Sequence, residues 1–78
     1  MNNTLEEIQH LAKQLFALEV DSSTSIESMK FDGFELSKFF THLEQNLSVQ
    51  INDSDILNFK TIDDVDRHIH ILKMAKDE

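Results

Sequence analysis

The chain has 78 residues, with 15 acidic and 7 basic side chains that give a formal charge of −8, and it contains no cysteine. This length predicts one small domain, and the lack of cysteine excludes a disulfide framework and a cysteine-based zinc site. The negative charge repels phosphate backbones and anionic lipid headgroups, so we expect partner proteins with basic patches and no binding to nucleic acids.

The first predicted helix covers about residues 4–18, followed by a long loop. Thr4 and Glu7 have the spacing of a capping box. Apolar residues recur behind them at helical spacing, namely Leu5, Ile8, Leu11, Ala12, Leu15, Phe16 and Leu18. The next segment is rich in hydroxyl and acidic side chains, which compete for backbone hydrogen bonds and disfavour a helix. The apolar residues that hold this loop to the core are predicted to be Val20, Ile26, Met29 and Phe31.

The second predicted helix covers about residues 33–47 and begins after Asp32, which has Glu35 three residues later as a capping partner. Its buried side is predicted to consist of Phe39, Phe40, Leu43 and Leu47. Of the two adjacent phenylalanines, Phe39 is expected to face the core and Phe40 the flank, beside the cleft between helices two and three.

The remaining chain predicts a loop and two further helices. The segment SVQIN alternates apolar and polar residues, but a lone short strand would have no partner, so we predict a loop. A short helix of about residues 53–58 is capped by Asp53, and a last helix of about 62–75 begins with Thr61 and Asp64 as a capping box. The predicted fold is therefore an all-α four-helix bundle, with three main helices, one short helix and a long first loop, in one domain over residues 1–78.

Several classes of function are not indicated by the sequence. His68 and His70 each have an aspartate one turn earlier, Asp64 and Asp66, but residues two apart on a helix point away from each other. Two ligands do not make a metal site. No nucleophile and base stand at a recognisable spacing, so we do not expect an enzyme. No apolar run approaches the ~20 residues that cross a bilayer, and no secretory signal is recognisable, which predicts a cytoplasmic protein.

The segment FDGFELSKFFTHLEQNLSVQINDSDILNFKTIDDVDRHI resembles the second half of acyl carrier proteins and of peptidyl and polyketide carrier domains. In that family an Asp-Ser-Leu motif opens the second helix, and a short third helix and a threonine at the start of the last helix follow. Asp32 and Phe34 fall into matching places of this motif, Gly33 stands at the position of its serine, and Thr61 matches the threonine. The upstream segment VDSSTSIESMKFD is similar to the loop that precedes the motif in modular carrier domains. The resemblance implies an acyl-carrier-like bundle.

The resemblance also implies a cofactor site, but this chain lacks the hydroxyl to which the cofactor would be attached. In the family the serine hydroxyl of the motif carries the 4′-phosphopantetheine arm, and Asp32, Gly33 and Phe34 correspond to this site. Gly33 has no side-chain nucleophile, so no arm is expected at this position unless it were a serine. Ser37, at a place that faces inward in the family, and Ser28, in the loop, are unsuitable substitutes because a carrier transferase reads the serine at the helix start. Asp32 is expected to cap the second helix and Phe34 to anchor it.

Docking on partner enzymes is the second property that the resemblance implies. The family presents acidic residues of its second helix to basic patches of acyl-transfer, synthase and transferase enzymes, and Asp32, Glu35 and Glu44 match this role. Lys38 stands where the family commonly has an acidic residue, which predicts a narrower set of partners.

The predicted function is that of a monomeric carrier-family protein of fatty-acid, polyketide or nonribosomal-peptide metabolism that docks through helix two. It is either an arm-less homologue or a Ser-to-Gly form of an ordinary carrier. The alternative is a helical protein-interaction domain unrelated to acyl transfer.

Overall fold

The computed structural model describes residues 3–76 of the chain, and the side chains of residues 4–74. In chain order the helices are α1 (Asn3–Phe16), α2 (Gly33–Leu47), α3 (Asp53–Asn58) and α4 (Ile62–Lys76), with one turn of 3₁₀ helix at Glu27–Met29 between α1 and α2. The predicted all-α four-helix bundle is confirmed. None of the helices in the described range is long and apolar enough to cross a membrane.

The ends of α1 differ from the prediction. Thr4 lies inside the helix and is buried. The predicted capping box with Glu7 is therefore wrong, because Thr4 does not stand at the cap position. The Glu7 carboxylate accepts a hydrogen bond from the side-chain amide of Asn46 on α2 (2.9 Å). The helix ends at Phe16, before residue 18, because Ala17 takes a left-handed conformation with φ 56°. The N–H of Ala17 still donates to the carbonyl of Lys13 (2.9 Å), which closes the last turn.

The other helix starts agree with the predicted caps in two of three cases. Asp32 and Glu35 form the capping box of α2. At α4, the N–H of Thr61 donates to the Asp64 carboxylate and the N–H of Asp64 donates to the Thr61 hydroxyl. The predicted Asp53 cap of α3 is wrong, because Asp53 is the first residue of the helix and Asn52 takes the cap position without a side-chain hydrogen bond.

The core lies between α1, α2 and α4. Its buried apolar residues are Ile8, Leu11, Ala12, Val20, Phe39, Phe40, Leu43, Ile51, Ile62, Val65 and Ile69. Phe39 and Phe40, both predicted on the buried side of the second helix, are 0% and 1% exposed, so neither of them lies on the flank. Their rings pack edge to face with centroids 5.4 Å apart. No residue of α3 is fully buried, so this short helix lies on the surface of the core.

The long first loop is held against the start of α4 by backbone hydrogen bonds. The N–H of Ile62 donates to the carbonyl of Thr24 (2.9 Å), the N–H of Asp63 to that of Ser22 (2.9 Å), and the N–H of Ile26 to that of Lys60 (2.8 Å). Ser25 and Thr61 form an isolated antiparallel bridge there. The first two of these bonds satisfy donors at the N-terminus of α4 that the helix itself cannot satisfy.

Candidate functional site: the start of α2 and the groove beside α3

The start of α2 is fixed by reciprocal hydrogen bonds. The N–H of Glu35 donates to Oδ1 of Asp32 (2.8 Å), and the N–H of Asp32 donates to Oε1 of Glu35 (3.2 Å). Two backbone donors that have no partner within the helix are thereby satisfied. The structure thus gives Asp32 its predicted role as the cap, and its side chain remains on the surface.

Gly33 is the first residue of α2 and is exposed to solvent. Its φ is not positive, so the backbone does not require glycine here. A Cβ added at this position would have no heavy atom within 4 Å. A side chain at position 33 would therefore project into open space, and the fold does not exclude one.

Phe34 does not anchor the helix as predicted, because 78% of its surface is exposed. Leu36, two residues later, packs against the core instead. On a helix these two positions lie on nearly opposite sides, so only one of them can face inward. Phe34 is therefore a large apolar side chain on the surface, next to Gly33.

A groove of about 300 Å³ runs between α2 and α3. Its lining residues are Gly33, Leu36, Ser37, Phe40, Thr41 and Glu44 from α2 and Asp53, Ile56 and Leu57 from α3. Phe40 contributes to the apolar part of the lining although it is almost fully buried, so its predicted place beside this cleft is correct. Ser37 does not face inward as expected, since it is exposed and lines the groove.

Leu57 is a groove residue that the sequence analysis missed. It is 82% exposed, whereas its neighbour Ile56 is partly buried against the core. The sequence gives only a weak signal, a pair of adjacent apolar residues in a helix of six residues, because adjacent residues can both be buried, as Phe39 and Phe40 are. Leu57 and Phe34 are thus large exposed apolar side chains of α3 and α2, on the two helices that form the groove.

The charged residues predicted to dock on partners have different local roles. Lys38 is exposed, and Glu35 is partly buried with one carboxylate oxygen engaged in the capping box. Glu44 is not on the open surface as expected: it is partly buried, and its Oε2 accepts a hydrogen bond from the N–H of Ile51 (2.9 Å). This bond fixes the loop after α2, which is a structural role for Glu44. Docking through these residues remains a prediction.

The histidines of α4 have aspartate partners, one of which the sequence did not indicate. Nε2 of His68 lies 3.4 Å from Oδ2 of Asp55 on α3, and Nε2 of His70 lies 3.5 Å from Oδ1 of Asp66. Asp64 instead accepts hydrogen bonds from backbone N–H groups, first that of Lys60, which hold the pKa of its carboxyl below the usual value. Within residues 3–76 no group of three or more His, Asp or Glu side chains could hold a metal ion.

The fold is similar to that of a known carrier protein. The crystal structure of an acyl carrier protein from Thermotoga maritima superposes with a TM-score of 0.79, over 94% of this chain and 89% of the other, at 13% sequence identity. No protein-family model matches the chain, and no curated protein matches it. The comparison confirms the predicted acyl-carrier-like fold, and at this identity it shows the fold alone.

Proposed function

We propose that this chain is a carrier-type protein that acts by docking on partner proteins through the start of α2 and the adjoining groove, and that it carries no arm at position 33. The observation that carries the proposal is the exposed start of α2, where Asp32 caps the helix and position 33 stands open to solvent beside the groove. The acyl-carrier-like fold supports it.

The residues present do not fit a phosphopantetheine arm. Attachment needs a hydroxyl at the helix start, and Gly33 offers none. The groove contains two other hydroxyls, those of Ser37 and Thr41, but they lie one and two helical turns further along α2. Two origins lead to this arrangement: Gly33 belongs to an arm-less homologue, or it replaces the serine of an ordinary carrier.

The partners that suit this surface are proteins with basic residues around an apolar recess. The chain carries a formal charge of −8, which favours encounter with basic patches. Phe34 and Leu57 offer exposed apolar side chains for such a recess, because burying a large apolar side chain at an interface is favourable. Acyl-transfer, synthase and transferase enzymes of fatty-acid, polyketide or nonribosomal-peptide metabolism are the proposed class, with a cytoplasmic monomer as the acting form.

Mass spectrometry after incubation with coenzyme A and a broad-specificity phosphopantetheinyl transferase tests the proposal. The native chain should gain no mass, and Gly33→Ser should gain one arm. The double variant Gly33→Ser with Ser37→Ala is the matched control, and it should gain the arm equally because attachment is at position 33. Modification of the native chain would contradict the proposal.

The same assay tests docking. In the Gly33→Ser background, Phe34→Ala should slow modification while leaving the far-UV circular dichroism spectrum unchanged, because Phe34 is exposed. An unchanged rate would argue against Phe34 as a docking residue for the transferase.

A helical protein-interaction domain unrelated to acyl transfer is the second candidate, and the missing hydroxyl at position 33 favours it. Failure of Gly33→Ser to accept an arm would support this candidate, since the fold would then have lost recognition by the transferase as well as the nucleophile.

A further inference from the structure

The groove between α2 and α3 has an apolar part and a polar part. The apolar part is lined by Leu36 and Phe40 of α2 and by Ile56 and Leu57 of α3. Leu57 is largely exposed, so its side chain is available to pack on a chain that enters the groove. The volume of about 300 Å³ is at the lower end of the range for ligand pockets, which suits one long side chain of a partner.

The polar part of the groove follows one side of α2. Ser37, Thr41 and Glu44 are spaced four and three residues apart, so they lie one above the other along the helix. Asp53, which is exposed, lines the groove from α3. None of the residues that line the groove is basic. This part of the groove therefore offers hydrogen-bond acceptors and negative charge.

The fold itself uses few of these polar groups. Within the described part of the chain, the hydroxyls of Ser37 and Thr41 and the carboxylate of Asp53 form no hydrogen bond or ion pair with other residues. Glu44 is engaged through Oε2, which accepts a hydrogen bond from the N–H of Ile51. Folding thus accounts for one of the four polar side chains, and the other three are available to a ligand.

We propose that the groove receives an arginine side chain of a docking partner, with its stem against the apolar part and its guanidinium between Asp53 and the hydroxyls of α2. Arginine suits both parts, because its stem is apolar and its planar guanidinium has only N–H donors. A guanidinium is more weakly hydrated than the ammonium of lysine, so it loses less hydration on entering a partly apolar groove. The proposal rests on the docking function proposed above, because it names the residue that the basic partner inserts.

Binding of an arginine derivative to the free protein tests the proposal without a partner or a transferase. N-acetyl-arginine methylamide is titrated into isotopically labelled native protein at constant ionic strength and neutral pH, and binding is followed by NMR. The amide signals of Thr41, Asp53 and Leu57 should shift in a saturable way, with a Kd of about 1–10 mM for a single side chain. The citrulline derivative is the matched ligand, because it has nearly the same shape and no charge, and it should bind about three- to tenfold more weakly. The lysine derivative should also bind more weakly than the arginine derivative.

Asp53→Asn should weaken binding of the arginine derivative about three- to tenfold, because it removes a negative charge from the groove. Asp53 is exposed and does not cap α3, so the far-UV circular dichroism spectrum should be unchanged. Glu27→Gln is the matched control, because it removes an equal charge at an exposed site outside the groove, and it should leave the Kd unchanged.

The proposal is overturned if the citrulline or the lysine derivative binds the native protein as tightly as the arginine derivative. It is also overturned if Glu27→Gln weakens binding as much as Asp53→Asn, since the effect would then come from net charge alone. Failure here is distinguishable from failure of the proposed function, because docking of the transferase on Gly33→Ser is measured separately by mass spectrometry.

Discussion

Gly33→Ala should stabilise the protein, because nothing in the fold at this position requires glycine. Gly33 begins α2, its φ is not positive, and a Cβ there meets no heavy atom within 4 Å. Replacing glycine by alanine at such a site mainly reduces the conformational entropy of the unfolded chain, which raises the free energy of unfolding by about 0.4–1 kcal/mol. In a small domain about 1 kcal/mol moves Tm by about 4–8 °C, so Tm should rise by about 2–8 °C.

The measurement is thermal unfolding followed by far-UV circular dichroism, together with urea unfolding. Gly33→Ser is the matched variant and should be at least as stable as the native chain. Asp32→Ala is the opposite control at the same helix start: it removes the acceptor for the N–H of Glu35 and should lower the free energy of unfolding by about 1 kcal/mol. Destabilisation by both Gly33 variants would refute the reasoning, because it would show that the backbone or a close contact demands glycine.

Two further predictions concern packing and pH. Phe40→Ala should lower the free energy of urea unfolding by about 3–5 kcal/mol because Phe40 is fully enclosed, whereas Phe34→Ala should change it by less than about 0.5 kcal/mol; equal effects would contradict this difference in burial. The pKa of Asp64 is lowered, mainly because its carboxylate accepts a hydrogen bond from the N–H of Lys60. The ionised carboxylate therefore stabilises the fold at pH values above its unfolded-state pKa. This stabilisation is lost as the pH falls through the folded-state pKa. Asp64→Asn should therefore make urea unfolding less dependent on pH on the acid side, and an unchanged acid dependence would contradict the assignment.

The features that could be predicted from sequence are those that depend on neighbours along the chain. The capping boxes of α2 and α4 were predicted because each needs only two residues three apart, such as Asp32 and Glu35. Contacts between distant segments were not predicted, because no local pattern encodes them. The bond from the side-chain amide of Asn46 to Glu7 and the contact of His68 with Asp55 are of this kind.

The capping error at α1 has a related cause. Thr4 and Glu7 have the spacing of a capping box, but Asn46 on α2 supplies a tertiary partner for the Glu7 carboxylate. The helix begins at Asn3, one residue before Thr4, so the pair does not stand at the cap position, and the Glu7 side chain makes a contact with another helix. The same competition explains Glu44, which was expected to be exposed but bonds to the loop that follows its own helix.

Some residues at the start of α2 and in the groove have a clear role in folding, and others do not. Asp32 would be favoured at this helix start in any protein, because it caps α2, and Glu44 is accounted for by its bond to Ile51. Phe34 and Leu57 contribute little to packing in the bundle, since 78% and 82% of their surfaces are exposed. Leu57 lines the groove, and Phe34 lies on α2 beside Gly33, so both are available to the docking surface proposed above. Recognition is therefore best tested first at these two side chains, where a substitution can affect binding without removing a contact on which the fold depends.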